Sequence, residues 1–177
     1  SELHRSSVFQ QFVRPTDMNG DGRLDLVTSG VSLTDFSTRS SEILLQEPNG
    51  TFAASAIGNA VMEVVDLDGD NDFDLVGDTD SGVLVWQNDG TGDGQWLPSP
   101  IFRPGVTAIA AGDFDNDQDV DLVIAGHSPA LLLMNDGMFR FSTLPIHDGN
   151  NVDHLEVLDL NADGAFDIVL KDNFISR

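Results

Sequence analysis

A chain of 177 residues with 40% hydrophobic content is long enough for one domain with a buried core, and its short apolar runs exclude a bilayer-spanning helix. A formal net charge of -22, from 30 acidic against 8 basic residues, excludes phosphate backbones and anionic membrane surfaces as natural partners and favours cations. Cysteine is absent, so neither disulfides nor thiolate zinc sites can hold the fold.

In chain order, Ser1 to Phe12 leaves room for one or two strands before an acidic segment, DMNGDGRLDLV from Asp17. A long stretch between the next two strands, Thr28 to Ser41, exceeds what a hairpin needs, and Asn49-Gly50 marks a turn. DLDGDNDFDLV from Asp66 repeats the acidic segment. It is followed by strand-sized runs at Phe73 to Gly77 and Val83 to Gln87, an Asn-Asp-Gly turn at Asn88 to Gly90, a glycine turn to Gly94, and runs at Trp96 to Phe102 and Val106 to Ala111. DFDNDQDVDLV from Asp113 and a second Asn-Asp-Gly turn at Asn135 form a third copy, and DLNADGAFDIV from Asp159 opens a fourth. The copies are 49, 47 and 46 residues apart, a period that fits a four-stranded propeller blade or a two-helix unit. No segment keeps a helical period, so the strands decide. The expected fold is all-β: one domain, 1–177, of about three and a half propeller blades of four antiparallel strands, with repeats near 8–59, 60–105, 106–151 and a truncated 152–177.

Within each nine-residue segment, side-chain oxygens fall at positions 1, 3, 5 and 9, a spacing at which a tightly turning backbone can aim all of them inward. The ligand sets are Asp17, Asn19, Asp21 and Asp25; Asp66, Asp68, Asp70 and Asp74; Asp113, Asp115, Asp117 and Asp121; and Asp159, Asn161, Asp163 and Asp167. Position 7 is Arg23, Asp72, Asp119 or Ala165, side chains too different to share a role, so its backbone carbonyl is the natural fifth ligand. Position 6 is Gly22, Asn71, Gln118 or Gly164, mostly types that tolerate positive φ, with Gln118 the exception. This many flexible oxygen donors suit calcium better than magnesium, and zinc lacks nitrogen and sulfur ligands. An EF-hand would need Glu at position 12, where Thr28, Gly77, Ile124 and Leu170 stand. Positions 8, 10 and 11 are apolar in every copy, so each loop leads directly into a strand, and folding should be coupled to four bound Ca2+ ions. One such stretch could be a solvated turn; four in one register are not.

These loops, between short strands at this period, resemble the FG-GAP and VCBS repeats of integrin α-subunit propellers and of many secreted proteins, including the cartilage acidic protein group. The resemblance implies that each loop joins the first and second strands of a blade and binds calcium. It also implies a secreted or cell-surface setting, with a protein or glycan ligand on the face opposite the loops. Arg39 and Phe36, in the Thr28 to Ser41 extension, are the candidate contacts there. Such propellers close with about six to eight blades, so the ring would need the remainder of a longer chain or self-association. The phenylalanine-glycine signature survives only approximately, at Asn49-Gly50-Thr51-Phe52 and Asp136-Gly137-Met138-Phe139.

The function expected is a calcium-stabilised, non-enzymatic interaction or adhesion module; the alternative is a propeller segment of a larger polysaccharide-active lyase or hydrolase. His4, His127, His147 and His154 are scattered without a nucleophile or metal spacing. Trp86 and Trp96 read as core rather than as a sugar platform. Asn49-Gly50-Thr51 is a glycosylation sequon on a hairpin.

Overall fold

The computed structural model describes residues 8–32, 39–97, 104–149 and 151–172. Strands β1 (Val8–Thr16), β2 (Asp25–Ser32), β3 (Arg39–Gln46) and β4 (Phe52–Ala56) pair in that order in a first sheet. A second sheet is β5 (Ala60–Val65), β6 (Asp74–Thr79), β7 (Gly82–Asn88) and β8 (Gly94–Leu97). The third is β9 (Val106–Gly112), β10 (Asp121–Gly126), β11 (Ala130–Asn135) and β12 (Phe141–His147). Finally β13 (Val152–Leu158) pairs with β14 (Asp167–Asp172). Neighbours run antiparallel throughout the first and third sheets, between β7 and β8, and in the last pair. The described chain is therefore all-β, three four-stranded blades and two strands of a fourth.

Burial follows position within a blade. The second strands β6 and β10 are buried almost end to end, as their unbroken Leu-Val runs require, whereas the outer strands β4 and β12 are mostly exposed. The described residues divide into two compact units: those up to 64 with 71–79 and 84–97, and 65–70 with 80–83 and the residues from 104 onward. In the first unit, Met18, Val27, Ile43, Val61, Leu75 and Trp86 form one buried cluster. Trp96, partly buried, packs against it and donates its indole N–H to the Ile57 carbonyl at 2.7 Å, so Trp86 is core and Trp96 lies at its edge. In the second unit, Val123, Leu132 and Leu155 are buried together, with Phe114 and Ile168 packed on them.

The stretch Thr28 to Ser41 is strand at both ends rather than loop, while residues 33–38 at its centre lie outside the described residues. The β2–β3 ladder runs on through Thr28↔Glu42, Ser29↔Ser41, Gly30↔Ser40 and Val31↔Arg39, so its flanks are strand. Ser and Thr hid this because they read as loop residues. Yet Thr28, Ser29 and Ser41 are buried, and the Ser41 hydroxyl is satisfied, donating to the Asn59 carbonyl at 2.6 Å and accepting Val61 N–H at 2.9 Å. Phe36 lies outside the described residues, as do His4 and the end of the run expected to Phe102.

Candidate metal centre

Each acidic segment connects the first and second strands of its sheet: loop 1 (Asp17–Asp25) joins β1 to β2, loop 2 (Asp66–Asp74) β5 to β6, loop 3 (Asp113–Asp121) β9 to β10, and loop 4 (Asp159–Asp167) β13 to β14. The backbone turns twice through the left-handed region. The sixth positions Gly22, Asn71, Gln118 and Gly164 have φ of 82°, 72°, 79° and 90°, so even Gln118 adopts the turn. The fourth positions, Gly20, Gly69, Asn116 and Ala162, do so as well, at 67°, 73°, 61° and 59°. Sequence reasoning missed this second turn, although Gly, Gly and Asn at three of its four occurrences carried the signal.

Two left-handed residues curl the chain so that its N–H groups point into the loop, where the carboxylates receive them. At position 1, Asp17 accepts Asp21 N–H (3.1 Å) and Gly22 N–H (2.7 Å), and Asp159 accepts Asp163 N–H (3.2 Å) and Gly164 N–H (2.9 Å). At position 5, Asp21, Asp117 and Asp163 each accept the position-7 N–H, of Arg23, Asp119 and Ala165, at 2.9 Å.

Position 9 has a role beyond the one its spacing suggested. Asp121, fully buried, accepts Phe114 N–H at 3.0 Å with one oxygen and Asn135 N–H at 2.8 Å with the other. Asp25 does the same with Met18 N–H (2.9 Å) and Gln46 N–H (2.7 Å). This carboxylate ties the loop's start to the end of the third strand. The residue there adds its own side chain in two blades: Asn88 Nδ2 donates to the carbonyls of Phe73 and Met18, and Asn135 Nδ2 to those of Val120 and Leu67. Each asparagine thus binds its own loop and the second position of the preceding repeat's loop. From sequence, both asparagines read only as turn residues.

Carboxylates gather in loops 2 and 3. Asp66, Asp68 and Asp74 within the second loop, and Asp113, Asp115 and Asp117 within the third, each offer one oxygen such that all lie within 4.8 Å of one another. A metal ion could be held by either group. Asp70 and Asp121 fall outside the two groups, and loops 1 and 4, with Asn19 and Asn161 at position 3, form none among the described residues. In loop 3 the donors fit a cation on a further ground: Asp113 Oδ1 is buried with no hydrogen-bond partner, although Oδ2 accepts Gln118 N–H at 3.1 Å. A buried carboxylate oxygen with nothing to neutralise it is costly unless an ion does so. Partial loss of solvent and the charges of Asp117 and Asp113 hold the Asp115 carboxyl above the ordinary carboxylate range. Burial raises Asp121 as well, against the lowering effect of its two N–H donors, with Asp115 and Asp117 adding to the rise.

Around the loops, the apolar side chains at position 8 stay outside the core in three copies: Leu24, Phe73 and Phe166 are 61%, 39% and 47% exposed. Burial begins at position 9, with Asp25, Asp74 and Asp121, and continues at positions 10 and 11, where Val27, Leu75, Val76, Leu122 and Val123 are inaccessible. In loop 3 the position-7 carboxylate, Asp119, lies over the Asn135 hairpin, where a Cβ on Gly137 would come within 2.7 Å of it. Of the other residues singled out, Arg39 pairs with Asp78 at 3.7 Å, His127 Nδ1 meets Asn151 Oδ1 at 3.1 Å, and His154 meets Glu156 at 2.9 Å. No helix among the described residues is long and apolar enough to cross a membrane, which says nothing about spanning by strands.

The sequence model of the FG-GAP-like repeat matches residues 66–124 and again 113–170, together more than half of the chain. No curated protein sequence matches it. Among solved structures, a chain of the Tc holotoxin pore of Photorhabdus luminescens is similar over 93% of this chain, at 19% identity and a TM-score of 0.49. The similarity spans 8% of that chain.

Proposed function

The chain belongs to the family of FG-GAP-like repeat proteins, and we propose that within it this segment is a calcium-stabilised, non-enzymatic interaction module working outside the cell. The observation that carries the metal half is the buried, unpartnered Asp113 Oδ1 beside Asp115 and Asp117. Oxygens gathered this closely can share one ion, and a set of flexible, all-oxygen donors suits calcium better than magnesium, which prefers to keep several of its waters. Four loops bind four ions: Asp, Asp or Asn, and Asp at positions 1, 3 and 5, the position-7 carbonyl, and Asp at position 9. Millimolar extracellular calcium suits such open loops. The paired histidines and the structural use of the loop carboxylates support a non-enzymatic reading.

A protein or glycan is bound at the ends of the sheets away from the loops, where β2 passes to β3. Arg39, with its side chain 59% exposed, stands at that end. Leu160 supports the further reading that another blade, from a longer chain or a second copy, packs after loop 4. It is 64% exposed, whereas its equivalents Met18 and Leu67 are each 1% exposed.

Calorimetry tests the calcium half. Two sites held at about 100 times Kd add roughly 5 kcal/mol, so EDTA should lower the unfolding temperature by about 10 °C or more. An unchanged temperature after chelation would overturn the reading.

A further inference from the structure

The four loops share one plan but not one charge. Loops 2 and 3 carry five aspartates each, loop 4 carries three, and loop 1 carries three aspartates and an arginine. That arginine, Arg23, sits at the position where sequence reasoning assigned only a backbone role. Its Nη2 is paired with Asp21 Oδ2, and its Nε donates to the Gln46 carbonyl at 2.7 Å, which anchors the guanidinium on the end of β3. Every carboxylate oxygen of loop 1 then has a protein donor: Asp17 takes the N–H groups of Asp21 and Gly22, Asp21 that of Arg23 and the guanidinium, and Asp25 those of Met18 and Gln46. Loop 4 supplies the control. It repeats the bonds to Asp159 and Asp163 but has Ala165 where loop 1 has Arg23.

We propose that loop 1 carries its own cation: the Arg23 guanidinium, held between Asp21 and the Gln46 carbonyl, neutralises the loop as a metal ion would, so this loop forms without an ion and is the last of the four to take one. The charge and the fixed fork are both needed. A guanidinium can bind a carboxylate and a carbonyl in one plane, while an ammonium is a strongly hydrated point charge. A unit positive charge beside the ligand oxygens also opposes a divalent ion directly.

The part concerning order of filling rests on the calcium reading; the part concerning the ion-free loop does not, and two measurements on the whole chain separate them. In EDTA, hydrogen exchange of residues 17–25 should be slower in the wild type than in Arg23→Ala by roughly tenfold. Arg23→Lys should restore little, and Ala165→Arg, on an exposed loop that tolerates the change, should slow exchange of residues 159–167. In calcium titrations followed by native mass spectrometry, Arg23→Ala should fill its last site at roughly tenfold lower calcium than the wild type. Equal exchange in EDTA for wild type and Arg23→Ala, with no gain from Ala165→Arg, would sink the proposal even if all four sites bind calcium. If the wild type binds no calcium, the calcium reading falls, and the exchange measurement alone decides the proposal.

Discussion

Loops 1 and 3 follow the same backbone path, with left-handed residues at their fourth and sixth positions and a buried aspartate at their ninth, yet they solve opposite electrostatic problems. Loop 1 is closed on itself: six carboxylate oxygens meet six protein donors, one of them a guanidinium. Loop 3 is left open, with a buried Asp113 oxygen lacking a partner and an Asp115 carboxyl raised by partial loss of solvent and by the charges beside it. The nine-residue repeat is therefore a backbone device first, and the charge left unpaired within it is set by which side chains occupy its odd positions.

The largest effect expected is one that the two loops share. Asp25→Ala and Asp121→Ala each remove a fully buried carboxylate and orphan two backbone N–H groups, so each should cost about 3 kcal/mol or more by urea unfolding in chelator. If Asp121→Ala were neutral in chelator while Asp25→Ala was costly, the ninth position of loop 3 would be a metal ligand first and a structural clamp second. Asn135→Ala comes next. Losing its two carbonyl partners, Val120 and Leu67, should cost about 2 kcal/mol with or without calcium. Gln46, which offers loop 1 only backbone groups, should tolerate alanine to within about 0.5 kcal/mol.

A sharper contrast comes from the first position. In chelator, Asp17→Asn should destabilise by about 1 kcal/mol, because a carboxylate accepting two N–H groups is replaced by an amide with a single acceptor oxygen. Asp113→Asn should instead stabilise by about 1 kcal/mol, since it removes one of three crowded charges, on a carboxylate with only one of its two oxygens paired. With calcium present that sign should reverse for Asp113→Asn, as a ligand is lost. Two substitutions of the same sign in chelator would erase the distinction between a loop whose carboxylates are all paired and one left with unpaired charge.

Much of this was legible in the sequence, and the remainder was hidden for identifiable reasons. Oxygen-bearing side chains at fixed spacing, followed by apolar residues, locate the loops and the strands they enter, because both depend on residues close in the chain. The bond from Asn88 to the Met18 carbonyl, 70 residues away, and that from Asn135 to Leu67, 68 residues away, depend on how repeats stack, and nothing local announces them. Arg23 was hidden differently. Its position varies among Arg, Asp and Ala, which suggested that the side chain was irrelevant, whereas the variation itself distinguishes the loops. The flanks of Thr28 to Ser41 misled because hydroxyl residues in a strand look like loop residues until their burial and strand pairing are seen.

The smallest effect expected is a dependence on acidity confined to the open loop. The folded carboxyls of Asp115 and Asp121 are raised above an unfolded value of about 3.9. A raised acid favours the folded state fully below its unfolded pKa and loses that advantage as pH rises through its folded pKa. In chelator, loop 3 should therefore gain protection as pH falls from neutrality toward the raised pKa values, once exchange rates are corrected for their intrinsic pH dependence. Calcium should abolish or reverse the gain, because protons then compete with the ion for the same oxygens. Loop 1 is the reference within the same molecule, and a loop 3 that loses protection on acidification in chelator would show that its carboxylates are not in conflict.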